Sequence, residues 1–279
     1  MQKRYHTSGI CLTTLMMISV LLTACYKKFD PSSYAPPVEI GGFTQTNQIA
    51  AGNLVAHWAF EGNLTDDVSK TTGVGSGTGF SAGIKGQGLR GADKSYALIT
   101  PGNPLVQLQS FSAMLWINSP QNTKGVVGLL ALNNNKNFWG NLEIFFENGG
   151  SKDTAVLKMH VTNDTKDAWL GVYYLRNVWD NWTHLGLTYN GADTFRVYVN
   201  GVAIATQAIS GYGPVTFKNA TRMVLGTMQF QTNPSLTTGG DAQSWASYLT
   251  GTLDEVRMYN RALTEKEINA LVKLEGRGK

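Results

Sequence analysis

The sequence predicts an all-β protein, a two-sheet antiparallel sandwich closed by one short C-terminal helix, and three observations carry that prediction. From residue 54 onward, short runs of alternating apolar and polar residues are separated by clusters of Gly, Asn, Asp and Ser. Within residues 182–206 the pair Asn-Gly occurs twice, at Asn190-Gly191 and Asn200-Gly201, where residues that tolerate positive φ permit tight hairpin turns. A helical pattern with its own start signal is confined to residues 264–274. Roughly a dozen strands over about 225 residues fit one sandwich rather than two domains.

Composition agrees. Of 279 residues, 42% are hydrophobic and only 15% charged, so a sizeable core is affordable and disorder is excluded. The net charge is +4, and losing Lys3 and Arg4 with an N-terminal segment lowers it by two, to +2. No basic stripe runs through the body of the chain, which excludes a nucleic-acid partner.

In chain order, residues 1–24 read as a targeting segment. Lys3 and Arg4 precede the apolar run Ile10 to Leu22, which is short for a bilayer span and ends in small residues. Leu22-Thr23-Ala24-Cys25 resembles a bacterial lipobox, so Cys25 is expected to carry diacylglycerol and, after cleavage, an acylated amine; an ordinary signal peptide cut after Ala24 is the alternative. Several acyl chains anchor far more firmly than one. Cys11 leaves with the signal, so the mature domain is expected to hold no thiol for a disulfide.

Residues 25–50, with Pro31, Pro36, Pro37 and Gly41-Gly42, read as a tether that reaches up to roughly 75 Å at about 3.1 Å per residue. Lys27 and Lys28 beside the lipid differ from the acidic residues associated with surface export in a related bacterial group. The expectation is an outer-membrane lipoprotein of the cell envelope, with the periplasmic face and the cell surface both open.

The domain proper is expected over residues 51–275. Strands fit Leu54 to Phe60, Ser95 to Thr100, Phe111 to Asn118, Val126 to Leu132, Asn141 to Glu147, Ala155 to Val161 and Trp169 to Leu175. A meander follows over Trp182 to Tyr189, Thr194 to Val199 and Val202 to Thr206. The glycine-rich run Gly73 to Gly79 lacks a Gly-Lys-Ser/Thr ending and a following helix, so it is no phosphate loop. In the last strand Leu253, Glu255, Arg257 and Tyr259 alternate with Thr252, Asp254, Val256 and Met258. Thr264 and Glu267 then have capping-box spacing, and Leu263 and Ile268 that of a hydrophobic staple.

Taken together, Trp58-Ala-Phe-Glu-Gly-Asn-Leu-Thr-Asp66, Gly86-Gln-Gly-Leu89, Phe111 to Ile117, the Trp182 to Gly201 hairpin and Leu253-Asp-Glu-Val-Arg-Met-Tyr-Asn-Arg-Ala-Leu263 resemble the laminin-G-like, concanavalin A-like jelly-roll family of bacterial lipoproteins and glycan-associated proteins. The resemblance implies two curved antiparallel sheets with first and last strands adjacent. It does not imply one function, since the fold serves lectins, adhesion modules, hydrolases and lyases. It also implies one structural calcium ion, with Asp254 as the carboxylate ligand and Glu61 and Asn63 as its partners; the alternative is that these residues only build the turn.

A retaining glycosidase needs two cooperating carboxylates, and the Glu-x-Asp-x-Glu spacing of such enzymes in this fold is absent. The nearest substitute, Glu143 and Glu147, shares a strand face with Phe145 between them. At about 3.3 Å per residue the two α-carbons stand some 13 Å apart, so the pair reads as solvated strand-face charge. His6, His57, His160 and His184 show no ligand or triad spacing. Sugars stack on exposed aromatics. Of seven Trp, three (Trp58, Trp116 and Trp182) lie in strand patterns and read as core, whereas Trp139, Trp169, Trp179 and Trp245 are placed for loop or rim exposure and sugar contact. The leading expectation is therefore a lipid-anchored protein that binds carbohydrate without chemistry. A glycoside hydrolase or lyase using Glu143 and Glu147 and a protein-interaction or structural module of the envelope are the alternatives.

Overall fold

Alternation along the strands decides the architecture, because each strand must bury the apolar face it presents. In the computed structural model, which describes residues 38–148, 150–163 and 165–278, the unit from Glu39 onward holds every strand of the described residues. The targeting segment, Cys25 and the tether up to residue 37 lie outside the described residues. The first strands are β1 (Leu54–Trp58), β2 (Val74–Ser76), β3 (Gly79–Ala82), β4 (Gln87–Arg90), β5 (Tyr96–Ile99) and β6 (Phe111–Asn118). Then come β7 (Val126–Leu132), β8 (Leu142–Phe146), β9 (Thr154–Thr162), β10 (Asp167–Trp169), β11 (Tyr173–Arg176) and β12 (Thr183–Tyr189). The last are β13 (Thr194–Val199), β14 (Val202–Ala208), β15 (Met223–Leu225), β16 (Ala246–Ser247) and β17 (Thr252–Tyr259). Among the described residues two α-helices accompany them, the single turn α1 (Asn103–Val106) and α2 (Glu265–Glu275).

The first sheet runs β14-β13-β12-β6-β17-β4-β3, with β1 on β17, and the second runs β10-β9-β8-β7-β15-β5-β2, with β11 beside β9 and β16 parallel to β7. First and last long strands are thus adjacent. Between the sheets lies the main core, to which Trp58, Phe111, Leu130, Ile144, Phe146 and Leu187 contribute. The sequence prediction of a sandwich with one C-terminal helix holds, and the Asn200-Gly201 turn takes the expected positive φ at both residues. At the other turn it is the Asn190 side chain that works, its Oδ1 accepting from the amides of Ala192, Asp193 and Thr194.

Three departures from the sequence expectations have physical causes. Residues 39–50, assigned to the tether, belong to the domain: Ile49 is buried, and Ile40 and Phe43 pack beside it on the cluster under α2. Their apolar residues follow no period, so pattern alone could not show an anchor. The predicted strand from Trp169 to Leu175 is split in two, because Leu170 turns into the core and Gly171 takes a positive φ before β11 begins. In β17 the simple alternation fails. Glu255, at φ 47, is the extra residue of a bulge between Asp254 and Arg257, so Leu253 shares the inner face with Val256 and Met258 rather than with Arg257 and Tyr259.

The bulge turns charged groups toward α2. The helix starts at the predicted capping box, with Thr264 accepting from the Glu267 amide at 3.3 Å and the Thr264 amide donating to Glu267 at 2.8 Å. Ile268, Leu271 and Leu274 then cover Met114, Tyr198 and Tyr259 on the outer face of the first sheet. Beside β17, Asp67 and Glu255 bracket His57 at 3.1 and 3.0 Å, and Arg257 bonds both Glu255 and, at 2.8 Å through Nε, Glu275 of α2. The Trp116 indole of β6 donates to the second Glu275 oxygen at 2.7 Å. No helix among the described residues is long and apolar enough to cross a membrane.

Two stability predictions follow from this side of the molecule. Arg257→Ala removes the cation that two buried carboxylates share and is expected to cost about 3–5 kcal/mol in urea unfolding; a loss below about 1 kcal/mol would contradict the role given to Arg257. His184 is fully buried edge-on to Trp116, and burial, aided by Arg257, lowers its pKa to about 3. Below the unfolded value of 6.5 the unfolded chain takes up a proton that the folded one refuses, so stability present above that pH is lost as pH falls toward 3. His184→Phe is expected to flatten that loss by up to about 1.4 kcal/mol per pH unit, and unfolding curves of the two proteins that stay parallel from neutral to acid pH would refute it.

Candidate functional site

The outer face of the second sheet is built by the same alternation. Leu142, Ile144 and Phe146 of β8 and Leu157, Met159 and Val161 of β9 point into the core. Glu143 and Phe145, and Val156, Lys158 and His160, therefore point outward. Register pairs Glu143 with His160 and Phe145 with Lys158. At the sheet edge β10 sets Trp169 beside His160, and β11 sets Tyr174 beside Val156. The face is thus an ordered grid of aromatic and charged side chains.

Two loops lay more rings on it. The connection from β7 to β8 is fixed by polar side chains: Asn133 Oδ1 accepts from the Thr221 and Arg222 amides at 2.8 Å each, and Gln229 Nε2 donates to the carbonyls of Asn137 and Phe138. This lowers Phe138 and Trp139 onto the sheet. The segment from residue 226 to 251 adds Phe230 and Trp245. The Trp139 ring lies 5.9 Å from Phe145 in a stacked arrangement, 5.0 Å from Trp169 edge-on and 6.2 Å from Trp245, and Phe138 stacks on Phe230 at 4.2 Å. Phe145 and Phe230 are buried as the floor, while Trp169 and Trp245 stay 38% and 39% exposed.

Charge lies directly beneath. Glu143 Oε2 is 3.0 Å from His160 Nδ1, and Asp167 Oδ1 is 3.1 Å from His160 Nε2. Burial by itself lowers the His160 pKa, but the Glu143 and Asp167 carboxylates outweigh it and raise it above 6.5. The imidazole ring is 4.3 Å from Trp169, and the Lys158 ammonium, paired with Glu147 at 3.0 Å, sits 5.3 Å from the same indole. Cations on one side of an indole are held by its quadrupole and fix its orientation.

Three of the four tryptophans singled out in the sequence, Trp139, Trp169 and Trp245, come together here. Trp179 does not: it is 7% exposed, packs edge-on to Phe146 in the main core and donates its indole N–H to the Ser151 carbonyl. A Trp beside an Asp in a turn gave no sign of which way the chain would fold over it. Trp182, expected in the core, is only half-buried. Glu143 and Glu147 share a face as the alternation implied, but Glu143 is not solvated. It is 0% exposed and bonded to His160, while Glu147 is committed to Lys158, so the two carboxylates serve separate cations. Gly79-Phe-Ser-Ala-Gly83 has the spacing of a hydrolase nucleophile elbow, yet Ser81 lies mid-strand with its hydroxyl 3.1 Å from that of Thr252. Sequence reasoning gave no place in the site to Phe138, Phe145, Phe230, His160, Asp167 and Tyr174. The polar positions Lys158 and His160 within apolar β9 were the available signal.

The residues expected to bind calcium stand on the opposite sheet and face N–H groups. Asp254 accepts from the Glu255 and Lys85 amides at 2.7 and 3.1 Å, Glu61 from the Gln87 amide at 3.2 Å, and Asn63 from the Thr65 amide at 2.8 Å. A Cβ at Gly83 would fall 2.3 Å from Asp254 Oδ2, so the turn closes directly on that carboxylate. Burial pushes the Asp254 carboxyl up to about 7. Calcium takes a shell of oxygens; this donor set, as arranged, does not fit one. Among the described residues no group of three His, Cys, Asp or Glu side chains could hold a metal ion.

Comparison with known proteins adds the fold's relatives. The profile of the concanavalin A-like lectin/glucanases superfamily matches residues 91–269. Among solved structures, domain 4 of an extracellular arabinanase of glycoside hydrolase family 43 from Geobacillus stearothermophilus, in complex with arabinotriose, is similar with a TM-score of 0.54 and 19% identity, over 79% of this chain and 98% of that one. The binding domain of botulinum neurotoxin serotype G is similar with a TM-score of 0.58 and 12% identity, over 80% of this chain and 51% of that one. The binding domain of botulinum neurotoxin DC in complex with SialylT gives 0.56 and 13%, over 80% and 52%. This chain thus spans about half the length of the toxin chains. A search of curated proteins finds no match.

The contact between His160 and Trp169 has an optical consequence. Imidazolium quenches an adjacent indole more than neutral imidazole does. Tryptophan emission is therefore expected to rise as pH climbs through the raised His160 pKa, above 6.5, and His160→Asn is expected to abolish that rise. Equal pH profiles for the two proteins would show that His160 does not carry the charge assigned to it.

Proposed function

Because the chain belongs to the concanavalin A-like lectin/glucanases superfamily, we propose that it is a lipid-anchored protein of the cell envelope that binds carbohydrate on the outer face of its second sheet, without chemical turnover. The cluster of Trp139, Trp169 and Trp245 carries this proposal. Half-exposed indoles held at fixed angles offer flat apolar surface to the C–H faces of sugar rings. Lys158, Glu147 and Asp167 at their margins supply donors and acceptors for hydroxyl groups. Rigid rings lose little entropy on binding, which favours affinity from a small area.

The arabinotriose bound by the similar arabinanase domain and the SialylT complex of the toxin domain support a glycan ligand on this fold. Binding without turnover is favoured by the separate commitments of Glu143 and Glu147, since a glycosidase needs two carboxyl groups free to act on one bond. The lipobox-like Leu22-Thr23-Ala24-Cys25 supports lipid anchoring through Cys25 at the outer membrane.

Affinity electrophoresis of the full chain through gels containing arabinan, xylan, mannan or β-glucan tests the proposal. At least one polysaccharide is expected to retard it without being shortened, and Trp169→Ala or Trp139→Ala is expected to weaken retardation about tenfold, a loss of ~1.4 kcal/mol. Trp179→Phe, in the core, is expected to bind as the parent does. Migration unaltered by every polysaccharide, or full retardation of Trp169→Ala, would remove the basis for it.

A further inference from the structure

Tyr174 is the most exposed aromatic side chain on this face, at 72%, and nothing in the cluster around Trp139 accounts for it. Its place is set by register. Both β10 and β11 pair with β9, so Trp169 and Tyr174 stand at one edge of the sheet, beside His160 and Val156 respectively. Paired residues of antiparallel strands share a face, so Tyr174 projects on the same side as Trp169. Their partners, His160 and Val156, stand four positions apart on β9, which is about 13 Å at ~3.3 Å per residue. That span is wider than one sugar ring. Between the two rings lies Lys158, bonded to Glu147 at 3.0 Å, with both side chains partly exposed.

We propose that Tyr174 is a second sugar-stacking platform, and that the ligand is a linear chain of several sugar units lying along β9 from Trp169, over the Lys158–Glu147 pair, to Tyr174. This rests on the glycan-binding proposal and makes it more specific. A terminal sugar or a short oligomer fills the Trp169 end alone. A longer chain gains the Tyr174 contact, with the ion pair facing hydroxyl groups of the unit between. Isolated exposed aromatics are ordinary on protein surfaces. What distinguishes Tyr174 is alignment with a charged pair and a second ring on one strand, an alternation of flat and polar surface that suits a repeating polymer better than a globular partner.

Calorimetry with a ladder of oligomers prepared from whichever of arabinan, xylan, mannan and β-glucan retards the full chain tests it. The parent protein is expected to bind the hexamer about tenfold more tightly than the dimer. Tyr174→Ala is expected to erase that gain while leaving the dimer's affinity unchanged, and Tyr174→Phe, which keeps the ring, to restore it. Trp169→Ala is expected to weaken every length. A Tyr174→Ala protein that still favours the hexamer, or one that loses dimer and hexamer affinity alike, overturns the inference and leaves the glycan-binding proposal standing. So does a dimer of the protein in size-exclusion chromatography that Tyr174→Ala dissolves, because the ring then serves a second copy of the chain. No retardation by any of the four polysaccharides overturns both.

Discussion

Arg257 is the charge on which the closed form of the sandwich depends. It is buried in the last strand, and a buried guanidinium is tolerable only with matched acceptors. The acceptors come from two directions, Glu255 two residues earlier and Glu275 at the end of α2. Reaching Glu255 requires the bulge, with its non-glycine residue at φ 47, a conformation that costs on the order of 1–3 kcal/mol and persists only where surrounding contacts hold it. The same bulge moves Val256 and Met258 onto the inner face. One local irregularity therefore serves both the core and the helix. Once α2 is docked, the middle of the first sheet's outer face is covered, and the second sheet carries the open aromatic face.

A chain of Asp, His and Glu occurs on each outer face. Asp67–His57–Glu255 lies beside the last strand and reaches α2 through Arg257. Asp167–His160–Glu143 lies under indole rings and ends at them. The chemistry is similar and the surroundings decide the role. The first is consumed in holding helix to sheet, since its buried Glu255 end meets Arg257, which in turn bonds Glu275 of α2. The second holds a surface ring in place, and that ring is half-exposed. Burying charge for position rather than for reactivity is consistent with Glu143 being wholly inaccessible.

Much of the fold was legible in the sequence because its signals are local. Short apolar or alternating runs bounded by turn residues located β6, β7 and β13 to the residue, and the capping box at Thr264 located α2. The bulge at Glu255 was not legible: a one-residue insertion leaves an alternating pattern that still looks regular, and only the partner strand shows that Leu253 and Val256 lie on one side. The site was legible in part. Trp139, Trp169 and Trp245 were identified from their polar surroundings, but the same argument chose Trp179, whose burial depends on a crossing the local sequence does not encode. His160 and Glu143 were seen as single residues on separate strands. That they meet is a matter of register between β8 and β9, a long-range property.

The binding face also explains why the polar loop residues are so heavily bonded. Trp139 and Trp245 come from loops, and a loop ring free to move would lose on ordering much of what stacking gains. Asn133, Asn134 and Gln229 prevent that by spending their side-chain donors and acceptors on loop main chain, locking the connection from β7 to β8 against residues 219–222 and 229. Strands need no such help, and Trp169 and Tyr174 stand directly on them. The two kinds of ring are therefore positioned by different means, the sheet-borne ones by register and the loop-borne ones by buried amides. Buried amides are expensive to leave unpaired, so a slip of the β7 to β8 loop would expose its cost in several bonds at once. That cost keeps the indoles in place without a ligand to organise them.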